Sequence, residues 1–299
     1  MMMNLAPVLL FVFNRPNHTI KLIESLKNNE LSSDTELFVF VDVPKISASE
    51  EDKIKNRKVF ELVNDIKHFK NVTVFRNEVN KGVDKSIIDG VNRIISDYKK
   101  VIVLEDDLLV ASSFLSYMNW ALNNFERNQR IYSVNGFMFP VDYRGSDDIV
   151  LLPYTSSWGW GTWIDRWGQF KFDEENRSTI LKSKQISSQF NLPGVDYANM
   201  LVSHKECWDI NWYFYVFKNS GLNVFPTKSL IKNMGFDGTG VHCTDIEFEQ
   251  KFHFETQLNY SVVREKDITF MINYIDYFDR KKVESKSFFK SILSKFIKM

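Results

Sequence analysis

The stretch Val101–Phe114, VIVLEDDLLVASSF, decides how this chain is read. Its first four residues are apolar and mostly β-branched, which suits a strand covered on both faces, as strands are inside a parallel sheet. Three carboxylates follow at once: Glu105, Asp106 and Asp107. Ligands of open parallel sheets bind beyond the carboxyl ends of the strands, so the triplet stands where chemistry is expected. Three adjacent carboxylates after a buried strand repel one another unless a cation lies among them, and hard oxygen donors suit Mg2+ or Mn2+. A solvated acidic turn ahead of the next helix is the other reading of the same residues. That helix spans Ser112–Phe125, with Ser112 or Ser113 as its N-cap.

Similar apolar runs recur upstream at Pro7–Phe13 (PVLLFVF), Leu37–Val41 (LFVFV) and Val72–Phe75. They alternate with helix-period segments at Asn17–Asn28, Glu50–Lys67 and Val83–Tyr98, the last with Val83, Ile87, Val91, Ile94, Ile95 and Tyr98 on one stripe. Ile131–Val134 reads as a further strand. The alternation predicts an α/β fold, a mostly parallel sheet flanked by helices. It fades beyond Gly136: 137–180 is rich in aromatics and glycine, 206–219 reads as a helix and 221–232 as two short strands. A soft boundary therefore falls near residue 150, with one sheet shared across it.

Composition narrows the classes. The 299 residues suffice for one large α/β domain, with about 75% of the unfolded surface removable from water. A hydrophobic fraction of 44% with only 12 glycines and 7 prolines excludes collagen-like, low-complexity and disordered chains. Cys207 and Cys243 are the only cysteines, which excludes a disulfide framework and a Cys-only zinc site and suits a reducing compartment. Zero formal net charge argues against a nucleic-acid binder. Yet Arg280–Met299 holds seven basic residues and one acidic, an asymmetry that points to a surface partner. Within that tail Phe289, Ile292, Leu293, Phe296 and Ile297 share a stripe, with Lys286, Lys290, Lys295 and Lys298 mostly around it. This fits a helix lying in an anionic membrane interface, or one packed on the acidic body. Pro7–Phe13 is too short for a signal h-region or a membrane span.

Other strand ends carry polar groups too. Arg15 follows the first strand, where a guanidinium can fork onto a phosphate or simply face solvent. Asp42 follows the second and can accept from a base or ribose, or serve as a turn residue before Pro44. Asn80-Lys81-Gly82 offers a helix N-terminus with a flexible glycine, suited to an anion or sugar hydroxyls or to nothing beyond the turn. Trp158, Trp160, Trp163 and Trp167 supply four of the seven tryptophans. Indole faces suit sugars, while the helical spacing of Trp160, Trp163 and Trp167 equally suits a core. Asp209, among large apolar groups, reads as a general base with a raised pKa or as a helix N-cap. Gly235–His242 has the glycine content of a lid containing Gly238 and Gly240, with His242 as a phosphate donor, a metal ligand or neither.

Taken together, these motifs resemble glycosyltransferases of the GT-A fold, most closely the N-acetylglucosaminyltransferase I type and its bacterial relatives. Leu10–Leu26 is similar to the family's first strand and helix, Val101–Phe114 to its strand and metal-binding acidic triplet, Trp158–Trp167 to its acceptor-side aromatic segment, and Asn233–His242 to its donor-closing loop. The resemblance implies that Arg15 contacts the diphosphate, Asp42 the uracil, Asp107 a Mn2+ or Mg2+ ion, and Glu105 and Asp106 the ribose or donor sugar. Lys81 joins the nucleotide-sugar contacts, Trp158, Trp160 and Trp208 the acceptor contacts, and Asp209 is the base. Asn14 stands where the family commonly has an acid, and Ile210-Asn211 interrupts its acidic pair. The implied activity is inverting transfer from a nucleotide-sugar donor, a UDP-sugar, to a saccharide or lipid-linked saccharide acceptor in bacterial surface polysaccharide assembly. Residues 1–150 would then bind the donor, 151–279 the acceptor, and 280–299 form a basic amphipathic helix. No anchor precedes the first strand, so the expected location is cytoplasmic and peripheral at the membrane. A non-catalytic saccharide-binding or partner-stabilising relative is the alternative. A sugar nucleotidyltransferase fits less well, because Asn14–Asn17 lacks the glycines of its phosphate loop.

Overall fold

A computed structural model describes residues 4–143, 148–237, 249–260, 263–264 and 268–284. In chain order the strands are β1 (Val8–Val12), β2 (Glu36–Val41), β3 (Asn71–Arg76), β4 (Lys100–Glu105), β5 (Leu108–Val110), β6 (Ile131–Asn135), β7 (Ile149–Leu152), β8 (Trp160–Trp163), β9 (Leu222–Pro226), β10 (Ile231–Asn233) and β11 (Val263–Arg264). The α-helices are α1 (Pro16–Lys27), α2 (Glu50–Asn64), α3 (Val83–Tyr98), α4 (Phe114–Asn124), α5 (Ile164–Trp167), α6 (Lys184–Phe190), α7 (Tyr197–Ser203), α8 (Trp208–Lys218) and α9 (Ile268–Glu284). This is the expected α/β class, a mostly parallel sheet flanked by helices with an aromatic-rich second half.

The nine-stranded sheet runs β11-β7-β9-β6-β8-β4-β1-β2-β3. Parallel β1 pairs with β2 on one side (Val8↔Leu37) and β4 on the other (Val8↔Ile102). The chain therefore winds outward from β1 to β3 and returns at β4 to the opposite side of β1, which places the topological switch point between β1 and β4. Strand alternation divides the core: Val8, Leu10 and Val12 join one buried cluster with α1, α2 and α4, whereas Leu9 and Phe11 join another with α3 and α8. Each fully buried Val, Leu or Ile contributes about 1.5–3 kcal/mol, so both faces stabilise the sheet. Helix α3 approaches β1 closely at Gly90, where a Cβ would lie 2.6 Å from the Phe11 ring.

Residue 150 does not divide the sheet, since β8 from the second half inserts antiparallel between β4 and β6 from the first. That insertion corrects the helical reading of Trp160 and Trp163. They lie in a strand, three residues apart and hence on opposite faces, Trp160 against the α3 and α8 layer and Trp163 against α4. Only Trp167 is helical, in the short α5 that follows. Helix α9 crosses the boundary expected at 279/280, and the membrane-stripe residues Phe289–Ile297 lie outside the described residues. Among the described residues no helix is long and apolar enough to cross a membrane.

Candidate functional site

Four parallel strands end along one edge. Pro16 opens α1 immediately after β1, which leaves Arg15 at the N-cap position facing the end of β4. Arg15 Nη1 donates to Asp107 Oδ2 at 2.9 Å and lies 3.5 Å from Asp106 Oδ1. Asp106 Oδ2 accepts the Phe13 N–H at 3.1 Å. Burial pushes the Asp106 carboxyl up to about 6; the Arg15 guanidinium opposes that rise and the Asp107 charge adds to it. The acidic triplet is thus a turn around a guanidinium rather than a solvated acidic turn.

A second, two-stranded sheet completes this pocket. Strand β5 pairs antiparallel with β10 (Leu108↔Asn233), and the Met234 N–H donates to the Asp107 carbonyl at 2.7 Å. This brings Gly235 against Asp107, where a Cβ would lie 2.4 Å from Oδ2 and 3.1 Å from Asn233 Oδ1. Without a side chain at Gly235 the Asp107 carboxylate packs directly on its backbone, and this carboxylate is a hard oxygen donor of the kind that suits a divalent cation. Among the described residues no group of three or more His, Cys, Asp or Glu side chains could hold a metal by itself, so a cation here needs further oxygens from a ligand. Sequence reading missed His18, whose Nε2 lies 3.2 Å from Asp237 Oδ2 and ties α1 to the segment after Gly235.

Asp42, expected as a base contact, is engaged within the fold. Its oxygens accept from Asn77 Nδ2 (2.9 Å), Asn80 Nδ2 (3.1 Å), the Lys81 N–H (3.1 and 3.2 Å) and the Gly82 N–H (2.9 Å). A carboxylate has about four lone-pair sites, so these donors saturate it and Asp42 builds the turn before α3. The Lys81 ammonium bonds Asp89 at 2.6 Å, so the backbone N–H and not the side chain serves this turn. Asn14, the departure after β1, donates to Asp52 Oδ1 in the first turn of α2. Beyond β2 the edge continues into an open cavity of about 380 Å³ lined by Pro44, Lys45, Ile46, Lys53, Asn56, Arg57 and Arg76.

Asp209 sits in the first turn of α8. Its Oδ1 accepts the Cys207 thiol at 3.0 Å. Burial and the carboxylates of Asp209 and Asp84 push that thiol well above its ordinary range, which makes it a donor and a poor nucleophile. Asp84, which sequence reading also missed, lies in the first turn of α3 and accepts the Trp208 N–H at 2.7 Å. Burial pushes its carboxyl up to about 6; the Trp208 bond opposes the rise, while Asp209 and Glu206 add to it.

The tryptophans expected to meet an acceptor separate. Trp160 and Trp208 are 1% and 4% exposed and stack on each other at 4.9 Å, so their faces are spent on the core. Trp158 is half-buried between Phe137 and Phe236, the residue after Gly235, at 4.5 and 5.8 Å between ring centroids. Glu105, the last residue of β4, is half-buried. Gly238, Gly240 and His242 lie outside the described residues.

No protein-family profile matches the chain, and no curated protein matches it. Among solved structures it is similar to S. aureus TarS 1-349, at 14% identity and a TM-score of 0.42, over 77% of this chain and 60% of that one. It is also similar to TarS 1-349 in complex with UDP-GlcNAc (13%, TM-score 0.40, 75% and 57%) and to S. aureus TarS (12%, TM-score 0.38, 77% and 37%). The chain thus spans 60% or less of the length of each of these proteins.

Proposed function

We propose that this chain is a GT-A glycosyltransferase that moves a sugar from a nucleotide donor, a UDP-sugar, to a saccharide hydroxyl with inversion at the anomeric carbon. The observation that carries the reading is the meeting of Arg15 with Asp106 and Asp107 at the β1/β4 switch point, where Gly235 packs on the Asp107 carboxylate. A cation-bearing acidic turn at this place in a parallel sheet suits a diphosphate, and the ordered resemblance of the flanking motifs supports a sugar nucleotide.

In this reading Arg15 turns its guanidinium between the carboxylates and the donor phosphates, stabilising the charge that develops on the leaving diphosphate. A divalent cation held by Asp107, with Mn2+ or Mg2+ as the metal, would add Lewis-acid neutralisation of the same charge. Asp106, buried behind Arg15, orients the guanidinium through its carboxylate and holds the Phe13 backbone. Asp209 takes the proton of the attacking acceptor hydroxyl, and Trp158 offers the acceptor side its half-buried indole. The acceptor is a saccharide, free or lipid-linked, of the kind assembled into bacterial surface polysaccharide.

The test of the base assignment is Asp209→Asn. Transfer from UDP-sugars to a panel of saccharide acceptors falls by about 10²–10⁴ while donor binding is kept. Near-normal turnover in that variant contradicts the assignment.

A further inference from the structure

We propose that Asp84 is a positioning residue that links the donor edge of the sheet to Asp209, by accepting the first backbone N–H of the helix that carries it. The proposal rests on the transferase reading above.

The link begins at β2. Asp42 holds the N–H groups of Lys81 and Gly82, so the turn entering α3 is fixed to the end of that strand. Asp84 follows in the first turn of α3 and reaches away from its own helix to the Trp208 N–H, 2.7 Å from Oδ1. Trp208 is the first residue of α8, and the first N–H groups of a helix have no acceptor within it. The residue that should cap them, Cys207, makes no side-chain cap; its thiol donates instead to Asp209 Oδ1. Helix α8 is therefore capped in trans by a residue 124 positions away, one residue before the carboxylate in question. The Trp208 ring stacks on Trp160 of β8, so the same residue is held from both its backbone and its side chain.

Two helix N-termini converge at Asp84 and favour negative charge, but burial and the Asp209 and Glu206 carboxylates outweigh them, so what the position uses is the acceptor oxygen. The charged groups near Asp84 from the neighbouring segment are Asp209 and Glu206; on its own side Lys81 is engaged with Asp89. Displacement of the α3 turn at the donor edge thus reaches Asp209 through two short side chain to backbone links, those of Asp42 and Asp84.

The experiment compares Asp84→Ala, which removes the acceptor, with Asp84→Asn, which keeps an oxygen for the Trp208 N–H. Two readouts are taken on the full chain: the iodoacetamide alkylation rate at Cys207, followed by peptide mass spectrometry to separate it from Cys243, and kcat with donor KM. Asp84→Ala is expected to speed Cys207 alkylation and to lower kcat, each about tenfold, with donor KM within about twofold of the parent. Asp84→Asn removes the same charge from beside the thiol and is therefore the reference for labelling: Cys207 is expected to react about tenfold faster in Asp84→Ala than in Asp84→Asn, while kcat in Asp84→Asn returns toward the parent. Equal Cys207 labelling in Asp84→Ala and Asp84→Asn overturns the proposal, as does an Asp84→Asn variant with a kcat as low as that of Asp84→Ala. A rise in KM matching the fall in kcat also overturns it, since that marks general damage. If Asp84→Ala does not fold, Asp84→Asn decides alone, and a tenfold loss of kcat there contradicts the link. If the parent chain turns over no UDP-sugar, the transferase reading fails, while Cys207 labelling still decides whether Asp84 holds α8.

Discussion

Two aspartates, buried Asp106 at the end of β4 and half-buried Asp84 at the start of α3, both carry carboxyls pushed up to about 6, but they are kept by different means. Asp106 faces a guanidinium, Arg15, and shares it with Asp107. Asp84 faces backbone N–H at the meeting of two helix N-termini, with two further carboxylates near it. A full counter-charge is mobile and can be turned toward an incoming anion, whereas backbone donors are fixed in place. The first arrangement suits a binding site and the second suits a strut.

The comparison breaks most severely at Arg15. Arg15→Ala leaves two poorly hydrated carboxylates without their cation and is expected to lower unfolding stability by about 3–5 kcal/mol, read by urea denaturation. The loss should be larger at pH 8 than at pH 5. The Asp106 pKa is already raised in the folded state, so its ionised form is the costly one, and protonation below about 6 relieves it. A smaller break is Gly235→Ala. Its Cβ would meet Asp107 Oδ2 and force the Arg15 contact apart, at about 1–3 kcal/mol and with weaker donor binding.

Asp84→Asn sharpens the contrast, because it is expected to stabilise the fold. The amide oxygen keeps the Trp208 bond and removes a charge whose folded pKa, about 6, lies above the ordinary 3.8. The cost of that charge is absent below about pH 4, grows between 4 and 6, and is complete above 6. The variant therefore gains on the order of 2 kcal/mol at pH 7.5 and nothing at pH 3.5, read by unfolding at both values. At the small end, Lys27 pairs with Glu24 on the outside of α1, where solvent screens both groups. Lys27→Ala changes stability by no more than about 0.5 kcal/mol.

How far the sequence could be read follows the same division. Strands β1 to β4 were legible because they are continuous apolar runs, and α3 was legible to the residue because Gly82 opens it and its stripe has helical period. Arg15 and Asp107 were legible as strand-end residues of a parallel sheet, and the fold brings them to 2.9 Å of each other. Strand β8 was not, since tryptophans three residues apart mimic a helix and only pairing with β4 and β6 makes the segment extended. Asp42 was placed at the right strand end, but its saturation depends on a turn 35 to 40 residues further on. Asp84 gave no signal, because its partner is a backbone N–H in a helix that packs against α3 only in the folded chain.

In the proposed function the β1/β4 edge binds a sugar nucleotide through Arg15 and Asp107. Isothermal calorimetry of UDP, GDP and CMP, each with Mn2+ and with chelator, on this chain and on Asp107→Ala tests it most directly. UDP is expected to bind only with the metal present and to lose that binding in the variant. Failure of the folded protein to bind any of the three nucleotides would contradict it.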